Sequence, residues 1–198
     1  MKFSEIKSIL ATKTAGIAGA GGLGSNCAAA LVRCGLGHLV IADYDVVEAG
    51  NLNRQFYFRD QIGMIKVDAL RENLLKINPR TRIITHNVKI RAANILRFFE
   101  NVDVLIEAFD HADQKEMLIE TALENWPDRP LVAGSGMAGM GKINSLEVKN
   151  YGELYICGDE KEETGPDNPP LAPRVGIVAN MQADTAMRIL LGDMALSR

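Results

Sequence analysis

Apolar positions along this chain recur in two rhythms. Residues 14–18, 38–43 ("HLVIAD") and 103–110 ("DVLIEAFD") are short, almost unbroken apolar runs, the last two ending in acid. Runs of that length without alternation are typical of parallel strands covered on both faces. Elsewhere the apolar spacing lengthens to three and four. That period predicts an amphipathic helix over 1–12, a small-residue helix over about 22–33, and helices over 66–78, 94–102 and 112–126. Asn78-Pro79 closes the third of these. "RTRIITHNV" (80–88) alternates as a strand, "PLVAGSGMAG" (130–139) and "KINSLEVKN" (142–150) read as two more, and 174–192 is a final apolar-striped helix. Residues 44–65 show no period. Residues 157–173 combine charge, proline and glycine, which predicts a mobile loop.

Strands alternating with helices predict an α/β fold, a Rossmann-like doubly wound sheet, mostly parallel with antiparallel strands near its C-terminal end. At 198 residues the chain reads as one domain, 1–198, long enough to bury a core. An apolar share of 47% with 24% charged residues places it among soluble globular proteins. The net charge of −3 gives no reason to expect nucleic acid as partner, so any bound phosphate must be met by a few local cations. No apolar run approaches the roughly 20 residues of a membrane span, and the acidic, polar opening "MKFSEIKSIL" has no signal-peptide pattern. Cys27, Cys34 and Cys157 form neither an even framework nor a C-x-x-C pair. The expectation is a reduced, cytoplasmic protein in which zinc is unlikely.

The candidate chemistry starts at "GIAGAGGLGS". Gly19, Gly21 and Gly24 fit G-x-G-x-x-G, with Gly22 beside them. A sharp strand-to-helix turn that brings backbone against phosphate has no room for a Cβ, and the following helix aims its free N–H groups at the anion. Asp43 stands 19 residues after Gly24 at the end of the next strand, a spacing that suits a ribose hydroxyl. To this point NAD and ATP both fit. Arg54 and Lys66, just beyond that strand, favour ATP, because a pyrophosphate is satisfied by the glycine turn whereas a triphosphate calls for further cations. Asp110, after the fourth strand, is a candidate Mg²⁺ ligand.

These residues resemble the ThiF/MoeB/HesA family of adenylyltransferases, related to the ubiquitin-activating enzymes. The resemblance is carried by "GAGGLGS" (19–25), "DYD" (43–45), "NLNRQ" (51–55), "GMIK" (63–66), "EAFDHADQK" (107–115), "AGSGMAGMGKI" and the closing helix. The short length and the "CGD…LAPRVGI" run look most like the compact ThiF-like branch associated with thiamine biosynthesis. The resemblance implies that Gly19, Gly21, Gly22 and Gly24 lie against ATP and that Asp43 holds the ribose. It implies further that Asn51, Arg54, Gln55 and Lys66 reach the nucleotide, and that Asp110 binds magnesium. The implied partner is a small ubiquitin-like sulfur carrier protein ending in Gly-Gly, ThiS-like, whose terminal carboxylate becomes an acyl-adenylate. A homodimer and a possible cysteine desulfurase partner follow from the same likeness. Arg54, Lys66 and Asp110 would carry the catalysis.

Three features depart from the family. Only Cys157 remains of two zinc C-x-x-C pairs, no cysteine occupies the loop before the last helix, and the first twelve residues hold lysines in place of an N-terminal arginine. His111, where relatives often have Asn, reads as a surface or ligand-adjacent residue. Cys157, followed by Asp159, Glu160, Glu162 and Glu163, is expected to pack rather than react. The alternatives are activation of a molybdopterin-type carrier, a tRNA threonylcarbamoyladenosine dehydratase-like enzyme, an NAD-binding oxidoreductase, and a non-catalytic dimer partner. The tRNA-directed reading is disfavoured by charge and by an expected greater length.

Overall fold

The computed structural model describes residues 1–192. After helix α1 (Phe3–Leu10), strand β1 (Thr14–Ala18) leads through a glycine turn into α2 (Gly22–Cys34) and then β2 (His38–Asp43). Two short 3-10 turns, Ala49–Asn53 and Arg59–Gln61, precede α3 (Lys66–Ile77) and β3 (Arg82–Asn87). The second half runs α4 (Ala92–Phe99), β4 (Val104–Glu107), α5 (Ala112–Asn125), β5 (Leu131–Ser135), β6 (Glu147–Tyr151), β7 (Leu154–Gly158) and α6 (Ala172–Leu191).

All seven strands form one sheet in the order β3-β2-β1-β4-β5-β7-β6, parallel except for β6, which runs antiparallel to β7. Apolar runs sit where this order requires them. β1 and β4, central and covered on both faces, are buried almost throughout, whereas the edge strand β6 has no buried position. One core layer joins α1, α2, α3 and α6 to the sheet; a smaller one joins α4 and α5 to its other face. The strand order reverses between β1 and β4. In open sheets of this kind the crevice at that reversal, at the carboxyl ends of the strands, is where ligands bind.

Several expected boundaries shift. The fourth strand stops at Glu107, so Asp110 lies in the loop beyond it rather than at a strand end. β5 stops at Ser135 because Gly136 turns with φ of 73°, packed so closely on Asp159 that a Cβ would stand 2.0 Å from its Oδ1. Residues 143–145 make a 3-10 turn before β6. Leu154–Gly158, to which the periodicity assigned no element, is β7, joined to β6 across Gly152 (φ 71°) and Glu153. The span expected as a mobile loop, 157–173, overlaps two elements: Cys157 and Gly158 end β7, Ala172 and Pro173 start α6, and the intervening segment makes several side-chain contacts. Buried Asp159 pairs with buried Arg174 and accepts the N–H groups of Lys161 and Glu162, while Asn168 Nδ2 donates to Glu162.

Candidate active site

The four glycines after β1 divide into two pairs. Gly19 takes φ of 102°, and a Cβ there would stand 2.6 Å from the Ala108 carbonyl oxygen at the end of β4. Gly24, in the first turn of α2, would place a Cβ 1.9 Å from the Gly19 carbonyl oxygen. These two let main chain rest on main chain. Gly21, the N-cap of α2, meets only Gln55 Nε2 at 3.7 Å, and Gly22 lies under Val175 and the stem of Arg54. No side chain caps α2, so its first N–H groups are left facing the crevice, an arrangement that suits an anion.

The crevice is a cleft of about 660 Å³, and it gathers most of the residues singled out by the sequence. Gly19, Gly21 and Gly22 form its floor. Asp43, Arg54, Gln55 and Lys66 stand along one wall, and Asp110 on the opposite rim. Gly24 and Asn51 are not among the residues that line the cleft. Gly24 is enclosed under Gly19, and Asn51 Oδ1 is spent on the Glu48 N–H at 2.9 Å within its own 3-10 turn.

Asp43 is held by two main-chain donors: Ala20 N–H at 2.6 Å, from the middle of the glycine turn, and Asp45 N–H at 2.8 Å. Burial raises its pKa, partly offset by those two N–H groups and the charge of Lys66. The carboxylate thus shapes the turn as well as facing the cleft. Lys66 opens α3 with its side chain almost wholly buried, and its Nζ meets Asp45 Oδ2 at 2.8 Å. Arg54 is half-buried, its guanidinium resting on Asn53 Oδ1 at 2.7 Å. Both cations therefore have intramolecular partners that an incoming phosphate would compete with. Tyr57, buried, locks this wall by donating its hydroxyl to the Ala20 carbonyl at 2.7 Å.

Across the cleft the loop after β4 carries Asp110 and His111, with side chains 80% and 76% exposed. Beneath it, fully buried Glu107 accepts the Phe109 N–H at 2.6 Å and two bonds from Lys115 Nζ, at 3.0 and 2.8 Å. Burial raises the Glu107 pKa, and Lys115 opposes that shift. Lys115 also donates to the Gly134 carbonyl at 2.8 Å, joining the loop base to β5. Met137, Thr164, Gly165 and Pro170 also line the cleft.

Sequence reasoning passed over Asp45, Tyr44, Lys89 and the Thr164–Gly165 wall. Asp45 sat in view within "DYD"; Lys89 had no signal, because it reaches the cleft only through the pairing of β3 with β2. Among the described residues, no group of three His, Cys, Asp or Glu stands close enough to hold a metal by itself. Asp110 can contribute one carboxylate, a donor set that fits Mg²⁺ carried largely by substrate phosphates and water. Cys27 and Cys157 are fully buried and Cys34 half-buried. Cys157 is pushed up to about 11, chiefly by burial; the nearby acid opposing its ionisation is Asp184 of α6, not the acids of the following loop. No described helix is long and apolar enough to cross a membrane.

Comparison with known proteins places the cleft in context. The ThiF family profile matches residues 4–197. Over 183 residues the chain is 31% identical to the adenylyltransferase and sulfurtransferase UBA4 of Eremothecium gossypii, covering 89% of this chain and 41% of that one. It is 30% identical over 184 residues to the adenylyltransferase and sulfurtransferase MOCS3 of Aedes aegypti, again covering 89% and 41%. The chain thus spans about two fifths of the length of these curated relatives. Among solved structures, E. coli tRNA N6-threonylcarbamoyladenosine dehydratase TcdA in complex with AMP superposes with a TM-score of 0.87 at 20% identity, covering 96% of this chain and 91% of that one. E. coli MccB with AMPCPP and MccA gives 0.73 at 20% identity, covering 93% and 57%.

Proposed function

The chain belongs to the ThiF family, and we propose that it is an ATP-dependent adenylyltransferase acting on the C-terminal glycine carboxylate of a ubiquitin-like carrier protein. One observation carries the reading: a glycine turn, a strand-end acid and two wall cations, Arg54 and Lys66, converge on a single cleft. In this reading Gly21 and Gly22 admit the phosphates, Asp43 accepts from the ribose, and Arg54 and Lys66 exchange Asn53 and Asp45 for phosphate oxygens. A carrier carboxylate oxygen attacks the α-phosphorus, the bond to the β-phosphate oxygen breaks, and pyrophosphate leaves. The carboxylate is ionised at neutral pH, so the protein supplies no general base. Its task is to position the reactants and neutralise charge as the leaving pyrophosphate separates. Asp110 would hold Mg²⁺, which when bound screens the phosphate oxygens.

As the carrier we retain a ThiS-type sulfur carrier of thiamine biosynthesis, supported by the "CGD…LAPRVGI" run. The names of UBA4 and MOCS3, which join adenylyl transfer to sulfur transfer, also support a sulfur-carrying partner. A second reading, activation of a tRNA-bound carboxylate, is favoured by the likeness to TcdA along 91% of that chain. ATP–pyrophosphate exchange dependent on a purified carrier ending in Gly-Gly tests the proposal. Exchange with the carrier and none with tRNA is the expected outcome. Tight NAD binding with no MgATP binding in calorimetry would overturn the adenylation reading altogether.

A further inference from the structure

Arg54 reaches the cleft from an irregular segment, and what fixes it there lies on a different element. Asn26, on the second turn of α2, donates from Nδ2 to two carbonyl oxygens: Gly22 at 2.7 Å and Arg54 at 2.9 Å. The first bond is the local contact that a polar side chain makes to the preceding helical turn. The second spans 28 positions in sequence and joins the helix to the arginine's own main chain. Its neighbour Ser25, fully buried, repeats the pattern. Ser25 Oγ donates to the Gly21 carbonyl at 2.6 Å and accepts the Phe56 N–H at 3.0 Å.

Consecutive residues of α2 therefore grip the chain on both sides of Gln55. Each anchors on one of the two cleft-facing glycines. The stem of Arg54 lies directly over Gly22, with Cγ 3.5 Å and Cδ 3.7 Å from where a Cβ would stand. Among the described residues the guanidinium itself is engaged by Asn53 and by a longer bond to the Gly50 carbonyl at 3.3 Å, both from its own turn. Its base is thus set by the helix, whereas its tip is held by local contacts that a phosphate oxygen could replace.

We propose that Asn26 is a positioning residue for Arg54, tying the arginine's main chain to the glycine turn so that its guanidinium meets the phosphate end of the nucleotide. The inference rests on the adenylation reading given above. Displacement of a charge-stabilising group by about 1 Å is enough to cost on the order of 10²-fold in rate. Asn26→Ala removes both bonds from Nδ2 while leaving the helix intact; Asn26→Asp keeps the shape and loses the donors.

The test is a double-mutant cycle of Asn26→Ala and Asn26→Asp with Arg54→Ala, read by carrier-dependent ATP–pyrophosphate exchange, with the KM for ATP and thermal unfolding followed in parallel. Each Asn26 variant is expected to lower kcat by roughly 10- to 100-fold with a much smaller change in KM. In the Arg54→Ala background the same change should add less than about twofold, because the group being positioned is gone. A variant within twofold of wild type, or a full Asn26 effect persisting without Arg54, overturns the proposal. A wild-type protein without exchange sinks the adenylation reading instead, and an active Arg54→Ala protein sinks the role of Arg54; the Asn26 assignment falls with either. Should one Asn26 variant melt early, the other and the cycle still decide the matter.

Discussion

Gly24→Ala separates packing from binding within the glycine turn. The added methyl would stand 1.9 Å from the Gly19 carbonyl oxygen and 3.2 Å from the Ala108 Cβ. The first neighbour is main chain, fixed by the bond from Gly19 N–H to Ala42 O at 2.8 Å, and cannot rotate aside. Relief requires α2 to lift from the sheet. Overpacking a close-fitted interior costs about 1–3 kcal/mol, and a main-chain contact this short belongs at the upper end. The helical preference for Ala over Gly returns about 1 kcal/mol. The clash wins, leaving a loss of about 2 kcal/mol, or about 4–8 °C in Tm for a domain of this size. Gly21→Ala meets only an ordinary contact at 3.7 Å, so it should melt within about 2 °C of wild type. Its methyl lies at the cleft proposed to hold the phosphates and should weaken MgATP binding instead. Thermal unfolding by circular dichroism and calorimetric titration with MgATP read the two effects separately. A Gly24→Ala protein as stable as wild type, or a Gly21→Ala protein melting equally low, would refute this division of the glycines.

Replacing Arg54 or Lys66 by Ala should slow carrier-dependent ATP–pyrophosphate exchange by about 10²-fold, as loss of a charge-stabilising donor typically does; rates within a factor of about three would remove both from the reaction. Cys157 gives a pH signature. Its pKa is raised from 9.0 to about 11, so its contribution to stability is fully present below 9 and lost as pH rises through 11. By pH 10 that loss is about 1 kcal/mol, and the wild-type Tm should fall about 2–4 °C further between pH 8 and pH 10 than that of Cys157→Ala. Equal falls would show that the thiol is not held off ionisation by burial.

The sheet was legible in the chain wherever burial on both faces left a short apolar run. β1, β2 and β4 lie within "TAGIA", "HLVIAD" and "DVLIEAFD", because neighbours on both sides favour apolar residues and confine the polar ones to the strand ends. Legibility ended at the last two strands. The edge strand β6, exposed or half-exposed along its length, has no apolar signature that would mark its ends. β7 is only five residues long, and its strongest local signal, the Gly152 turn, is one residue wide. The contacts of the 159–171 segment were hidden for another reason. Its composition is that of an unanchored loop, but composition cannot report that Asp159 meets Arg174 across 15 residues in a buried pair.

The cleft divides along the same line. Gly21, Gly22, Asp43, Arg54 and Lys66, which line the cleft, were readable because a nucleotide motif sets residue types at fixed distances from strand ends. What holds them was not readable. Asp45 at Lys66, Asn26 at Arg54, Ser25 at Phe56 and Tyr57 at Ala20 each make a hydrogen bond to a partner that only the folded chain brings near. A motif records the face turned to the ligand. The supporting groups vary with the local path of the backbone, so their types recur at no fixed spacing. Gly24 shows the converse. It fits the glycine pattern as well as Gly21 does, yet its constraint comes from the carbonyl of Gly19 beneath it. A sequence pattern tells where a Cβ is forbidden, and the fold must say whether a ligand or the protein's own backbone forbids it.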